Sequence, residues 1–155
     1  MAAVSSITIR PARRDDVGII VGMLADDPLG RARERLEDPL PPCYFRAFEA
    51  LEQASNTQLV VAEEGGAVVG CLQLCILPGL SSQGASRGLI EDVRVATHCR
   101  SRGIGEQLVQ WAIAEARGKG CKLVELLTHN TRVDAQRFYV RLGFQPSHVG
   151  MTLRF

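Results

Sequence analysis

Residues 93–106 read Val-Arg-Val-Ala-Thr-His-Cys-Arg-Ser-Arg-Gly-Ile-Gly-Glu and combine the residue types that hold an anion. An alternating apolar run leads into a short loop with two arginines and two glycines, and a helical apolar period begins directly after it. A helix N-terminus leaves backbone N–H groups unpaired and carries partial positive charge, so a phosphate placed there is stabilised. Gly103 and Gly105 lack a Cβ and let the amides approach such a group, while Arg100 and Arg102 add formal charge. The combination suits a diphosphate. Two glycines before a helix also make an ordinary turn, so the loop by itself leaves both readings open. Other phosphate loops fail on spacing: Leu108 stands where a dinucleotide fingerprint needs its third glycine, and Gly118-Lys119-Gly120 closes a helix instead of opening one as a Walker loop does.

Upstream, strand parity puts Glu91 on one face with Leu89, Val93 and Val95, a carboxylate among apolar side chains. Burial disfavours its charged form and raises its pKa, which suits a base that takes a proton from an ammonium, directly or through water. At a solvated strand end, or paired with an arginine, the same residue has no such role. Asp92 points the other way and is the weaker base. His98 and Cys99 are adjacent in the loop with no orienting carboxylate, and read as surface residues instead of a nucleophile and its base. His129 and His148 are isolated and give no metal spacing. The five cysteines contain no CxxC, and Cys71 and Cys75 lie about 13 Å apart along one strand. They read as reduced thiols of a cytosolic protein, not as a disulfide framework or a zinc site.

These residues need a scaffold, and 155 residues with 46% hydrophobic content suit one domain, 1–155, with one core. A net charge of +1 gives no electrostatic footprint for nucleic acid or an anionic membrane. The start, Met1 to Ser6, has neither a basic region nor a long apolar stretch and reads as no signal peptide. Ala67 to Leu77 is too short for a membrane span. Ile7 to Pro11 alternates as a first strand, Asp15 and Asp16 open a helix that ends at Asp26-Asp27-Pro28-Leu29-Gly30, and Arg31 to Pro42 is a mobile or partly helical loop. Pro41-Pro42 opens a second helix with Phe45, Phe48 and Leu51 on one face. Gln58–Glu63 and Ala67–Leu77 form a hairpin about Gly65-Gly66, and Leu89–Val95 is the next strand. A helix from about Gly105 to Arg117, a strand Leu123–Leu127, a helix Thr131–Leu142 and a last alternating strand through Val149, Met151, Leu153 and Phe155 complete the order β-α-α-β-β-β-α-β-α-β. The class is α/β, a mixed sheet flanked by helices.

Arg100-Ser101-Arg102-Gly103-Ile104-Gly105 resembles the R/Q-x-x-G-x-G/A acyl-CoA motif of the GNAT superfamily of N-acetyltransferases. Ala135-Gln136-Arg137-Phe138-Tyr139-Val140-Arg141-Leu142-Gly143-Phe144 is similar to that family's A-x-x-F-Y-x-x-x-G-F segment, at the correct distance. The likeness is clear from about Gln58 to Phe155. It implies a mixed, mostly antiparallel sheet of about six or seven strands, with acetyl-CoA lying between two splayed parallel strands. It also implies pantetheine on the backbone of the Val93-Arg94-Val95 strand, a backbone N–H near Val93 polarising the thioester carbonyl, and the diphosphate on Arg100 through Glu106. Tyr139 takes the family's general-acid position, although its helical stripe with Ala135, Phe138 and Leu142 equally suits a packed core tyrosine. Asn130 matches an asparagine that bonds the pantetheine amide, or else it caps the next helix in a box formed by Thr131 and Asp134. No metal is implied. The reaction implied is direct acyl transfer to a primary amine, the acceptor entering over Glu91 between Arg31–Phe48 and Leu80–Gly88. The tail from Phe138 is similar to that of members that acetylate aminoalkylphosphonates or like amines, with a protein amine as the alternative acceptor and a homodimer as the implied assembly. A module that binds acyl-CoA as a sensor without efficient chemistry is the competing reading.

Overall fold

Two glycines with positive φ, Gly65 at 58° and Gly66 at 85°, fold the chain back between the most apolar strands of the molecule. In the computed structural model, which describes residues 6–155, these strands are β2 (Thr57–Glu64) and β3 (Ala67–Leu77). They carry Val61, Cys71, Leu72 and Leu74, all without solvent exposure. β1 (Ile7–Pro11) pairs with β2, β4 (Arg87–Val95) with β3 and β5 (Leu123–Leu126) with β4, giving a five-stranded sheet in the order β1-β2-β3-β4-β5. The first three pairings are antiparallel and the last is parallel. A parallel pair needs a long crossover, and α5 (Ile104–Gly118) provides it. The stretch 1–5, most of the start read above as no signal peptide, lies outside the described residues.

Each face of the sheet carries its own packing. Ile104, Leu108, Val109, Ala112 and Ala116 of α5 cover Val60, Ala62, Leu72, Leu74 and Ile90. On the other face α1 (Val17–Leu24) lays Ile20 and Met23 on Val61 and Cys71, and α3 (Pro42–Gln53) adds Phe48 against Val17 and Val21. α6 (Val133–Arg141) adds Phe138 and Tyr139 to the α5 side. Ser81–Gly84 forms a single turn, α4, whose Ser82 and Gln83 take left-handed angles.

The framework departs from the sequence expectations around α2 and at the end of the chain. A helix, α2 (Pro28–Arg33), stands where the sequence suggested the end of α1 and the start of a mobile or partly helical loop. Asp27 accepts from the Gly30 N–H at 2.6 Å and Pro28 takes the first turn, a cap that the Asp-Pro pair encodes. Only glycine fits at position 30, because a Cβ would stand 1.9 Å from the Leu24 carbonyl oxygen. The segment after α2 is also tied down: the Tyr44 hydroxyl accepts from the Arg35 N–H at 2.8 Å and donates to Glu34 Oε2 at 3.1 Å. Finally, the sheet has five strands among the described residues, not six or seven, because Val149–Phe155 is not a strand. Val149, Met151 and Leu153 are 84, 92 and 80% exposed. Alternation marks which side of a segment is apolar, but a strand also needs a neighbour to pair with, and this segment is not laid along β5.

A buried ionic knot fixes the start of the chain against the sheet. Arg10 donates to Asp16 Oδ2 at 2.7 Å and to Glu63 Oε2 at 2.7 Å, and the Arg13 N–H donates to Asp16 at 2.7 Å. Burial pushes the Asp16 pKa up, but the hydrogen bonds from Arg10 and Arg13 and the charge of Arg10 outweigh it and hold the carboxyl below its usual value. A depressed carboxyl stabilises the fold above its unfolded pKa of about 3.9 and loses that contribution as pH falls through the folded value. Thermal melts should therefore show wild-type stability dropping below about pH 4. Asp16→Asn should cost about 2 kcal/mol at neutral pH and flatten that acid slope.

Candidate active site

β4 pairs with β5 only from Arg87 to Ile90, so Glu91–Val95 continue with no strand on that side. The Ala96 N–H donates to the Val69 carbonyl of β3 at 2.9 Å. Antiparallel alternation then turns the Arg94 backbone toward its β3 partner Cys71 and leaves the N–H and C=O of Val93 and Val95 facing the gap. Two arginines reach those carbonyls: Arg94 Nη1 donates to Val93 O at 2.9 Å and Arg100 Nε to Val95 O at 3.4 Å. The two amides are placed to pair with an extended ligand as a neighbouring strand would.

The register of β3 against β4 slips by one residue between Gln73↔Glu91 and Cys71↔Arg94, so Asp92 and Val93 together oppose Leu72. Asp92 takes φ 51° at this bulge. The extra residue overturns the parity expected for Glu91. Glu91 lies opposite Gln73 on the face that carries Cys71 and Arg94, while Val93 and Val95 pack with Ile90 on the α5 side. It is exposed, with Gln73 Nε2 donating to Oε2 at 3.3 Å. Its pKa still lies above the ordinary glutamate value, chiefly through partial burial and next through the charge of Asp92.

Beyond β4, a 3-10 turn at Thr97–Cys99 and positive φ at Ser101 and Gly103, 62° and 79°, swing the chain into α5. Gly103 is the N-cap, and no side chain caps the first turn, so the amides of Ile104, Gly105 and Glu106 point out unspent. The two glycines serve different ends. Gly103 needs its left-handed backbone, whereas a Cβ on Gly105 would make ordinary contact with Phe138 at 3.5 Å and Val95 at 3.6 Å. The loop arginines already face carboxylates: Arg102 Nη2 lies 2.6 Å from Glu64 Oε1, and Arg100 Nη2 lies 3.5 Å from Asp26 Oδ2. Thr97 also donates to Asp26. An anion here would rest first on backbone amides. His98 is exposed as expected, but Cys99 is 2% exposed, because the turn drives it into the core beneath the loop.

Tyr139 is half-buried, edge-on to Phe138 at 5.0 Å and to Phe144 at 5.8 Å. Among the described residues no protein group takes its hydroxyl. Burial raises its pKa more than the charges of Arg94 and Arg132 lower it, so the phenol keeps its proton. Asn130 is exposed, and its backbone carbonyl accepts from Gln136 Nε2 at 2.9 Å. The capping box, the alternative read for Asn130, does not form: α6 starts at Val133 with Arg132 at its N-cap and no capping side chain, and the Thr131 hydroxyl is bonded to His129 Nδ1 at 2.7 Å.

Sequence reading missed a contact that joins the two sides of the site. Asp27 Oδ2 lies 2.5 Å from Arg132 Nη2, so the residue that caps α2 also grips the loop entering α6. The Arg33 guanidinium is held above its ordinary pKa first by its hydrogen bond to Glu34, with smaller contributions from the charges of Asp92 and Asp27. The Asp-Pro signature was visible; its partner more than a hundred positions away was not. A cavity of about 650 Å³ is lined by Arg14, Arg35, Leu40, Phe45 and their neighbours, none of them on β4.

A strand parting from its parallel neighbour, with an uncapped helix start at its end, is the frame that the sequence motifs implied, and the chain matches the acetyltransferase (GNAT) family over residues 18–144. It belongs to that family. GNAT acetyltransferases take their acetyl group from acetyl-CoA, and this chain is an acyl-CoA-dependent N-acetyltransferase. It is 38% identical over 120 residues, 77% of each chain, to the aminoalkylphosphonate N-acetyltransferase of Salmonella typhimurium. It is also 38% identical over 121 residues to a glucosamine 6-phosphate N-acetyltransferase of Oryza sativa, spanning 76% of this chain and 72% of that one. A crystal structure from Bacillus halodurans, described as a transcriptional regulator, superposes with a TM-score of 0.94 at 48% identity, over 97% of this chain and 100% of that one. The gap beside Val93 and Val95 leads directly to the uncapped start of α5. Gly103→Val should lower CoA affinity about tenfold in calorimetry, since a branched side chain resists the left-handed backbone. Gly118→Ala, with open space around it at the far end of α5, should leave that affinity unchanged.

Proposed function

We propose that this enzyme moves the acetyl group directly from acetyl-CoA to the primary amine of a small molecule, with Tyr139 as general acid and Glu91 as base, acting directly or through one water. The single observation that carries the reading is the run of open amides on β4 past Ile90: Glu91 precedes the bulge on the strand itself, and Tyr139, like Val93 and Val95, packs against the α5-side core. Acetyl-CoA supplies the thioester. The backbones of Val93 and Val95 hold the extended arm, and the Val93 N–H donates to the carbonyl oxygen as negative charge grows on it. Gly103, Ile104, Gly105 and Glu106 hold the diphosphate through their amides, with Arg100, Ser101 and Arg102 around it and Asn130 at the arm's amide. Tyr139 hands its proton to the departing sulfur. Glu91, pushed toward basicity by burial and by Asp92, takes one from the ammonium. Cys99, the loop's thiol, is buried, which favours direct transfer over a covalent relay. Relatives named for small amines favour a small acceptor over a protein one. We also take 1–155 as one domain of a cytoplasmic protein that can pair as a homodimer.

The description of the Bacillus halodurans structure favours a second reading, an acyl-CoA sensor with little turnover. A screen of amines and peptides with acetyl-CoA, detecting free thiol, separates the two. Thiol release with an amine supports the enzyme, and CoA binding without release supports the sensor. Tyr139→Phe should lower kcat about 100-fold with CoA affinity near wild type, because proton donation matters only in the transition state. An unchanged kcat removes Tyr139 from the mechanism. The base must be ionised, so kcat/KM should fall as pH drops through a pKa above the usual glutamate value of about 4.3, and Glu91→Gln should abolish that limb.

A further inference from the structure

Gln73 of β3 is the cross-strand neighbour of Glu91, and its side-chain amide is fully engaged. Nε2 donates to Glu91 Oε2 at 3.3 Å and to Cys75 Sγ at 3.4 Å, which uses both of its hydrogens. The Thr57 hydroxyl donates to the same sulfur at 3.5 Å and so holds Cys75 from the β2 side. Register explains the group: Thr57 lies opposite Cys75 and Gln73 opposite Glu91, all on the sheet face away from α5. Because β3 is paired with β2 on one edge and β4 on the other, the backbone beneath Gln73 is fixed. Glu91 is exposed, and an exposed glutamate is otherwise free to spread over its rotamers. A base that wanders meets its substrate in a productive pose for only part of the time. Holding one oxygen removes that freedom. Oε1 is bonded to no group among the described residues and is the atom left to take a proton. The charged groups nearby are mostly committed elsewhere. Arg87 of β4 and Glu125 of β5 pair with each other at 2.7 Å, Arg33 of α2 pairs with Glu34 at 2.7 Å, and Arg94 donates to the Val93 carbonyl. Asp92 alone acts on Glu91 through its charge.

We propose that Gln73 is a positioning residue for acetyl transfer: it holds one oxygen of Glu91 so that the other takes the proton of the acceptor's ammonium. The inference rests on the reading of Glu91 as the base and adds the residue that orients that base and tunes it. A hydrogen bond donated to the charged form of a carboxyl favours that form. Gln73 thus opposes the upward push of burial and of Asp92.

The test follows kcat/KM against pH, with acetyl-CoA and the best amine of the screen, in variants of Gln73 with opposite expected signs. Gln73→Leu removes the donor and should move the acid limb up by about one pH unit. Gln73→Glu sets a like charge beside Glu91 and should move it up at least as far, whereas Gln73→Lys supplies a cation and should move it down by about one unit. CoA affinity should stay at the wild-type value in each. A purely structural role would lower activity without ordering the limbs by charge. Without substrate, the Glu91 carboxyl followed by carbon-13 NMR should titrate in the same order, and an unmoved titration overturns the proposal. A limb at one pH in every Gln73 variant also overturns it, while loss of that limb in Glu91→Gln leaves the base reading intact. A limb that survives Glu91→Gln, or thiol release with no amine in the screen, overturns both.

Discussion

The open backbone edge of this chain follows from the failure of two parallel strands to stay paired. Inside a sheet a backbone amide is satisfied by its neighbour and has nothing to offer a ligand. Once β5 stops at Leu126, β4 runs on past Ile90 with one edge in the ladder of β3 and the other free. The free edge lies above a rigid base, because Ile90 and Leu72 beneath it are packed by α5. The amides are thereby fixed before any ligand arrives, the condition under which a dipole stabilises developing charge without reorganising.

The surroundings of β4 are assembled differently, from ionic ties between distant segments. Asp26 and Asp27 are consecutive, yet one meets Arg100 in the loop before α5 and the other meets Arg132 ahead of α6. The corner between α1 and α2 is therefore held to both of these loops. These contacts are partly exposed, and each adds little to global stability. Their value is geometric, since they fix the loops before α5 and α6 against that corner.

Local chemistry was legible in the sequence and long-range arrangement was not. Ile7–Pro11 and Ala67–Leu77 were readable because alternation, proline and paired glycines act over a few residues. The phosphate loop was readable because a strand, two glycines and a helical period stand together in one stretch. Glu91 was assigned to the wrong company because parity counting assumes an unbroken strand, and no residue type announces that Asp92 is supernumerary. The Thr131–Asp134 box failed because His129 competes for the threonine hydroxyl. Val149–Phe155 carries a strand pattern without a neighbouring edge to complete it.

The irregular residue in β4 also constrains how this gene can change. Asp92 is solvent-exposed, and by accessibility alone it belongs with the positions that accept almost any replacement. Losing it would close the bulge and leave the later side chains on the sides they already take: Glu91, Val93, Arg94 and Val95 would face Gln73, Leu72, Cys71 and Gly70 in unbroken register. An alignment with a bulge-free homologue therefore needs its one-residue gap at this point; set earlier or later along the strand, the gap exchanges the wet and dry positions in between.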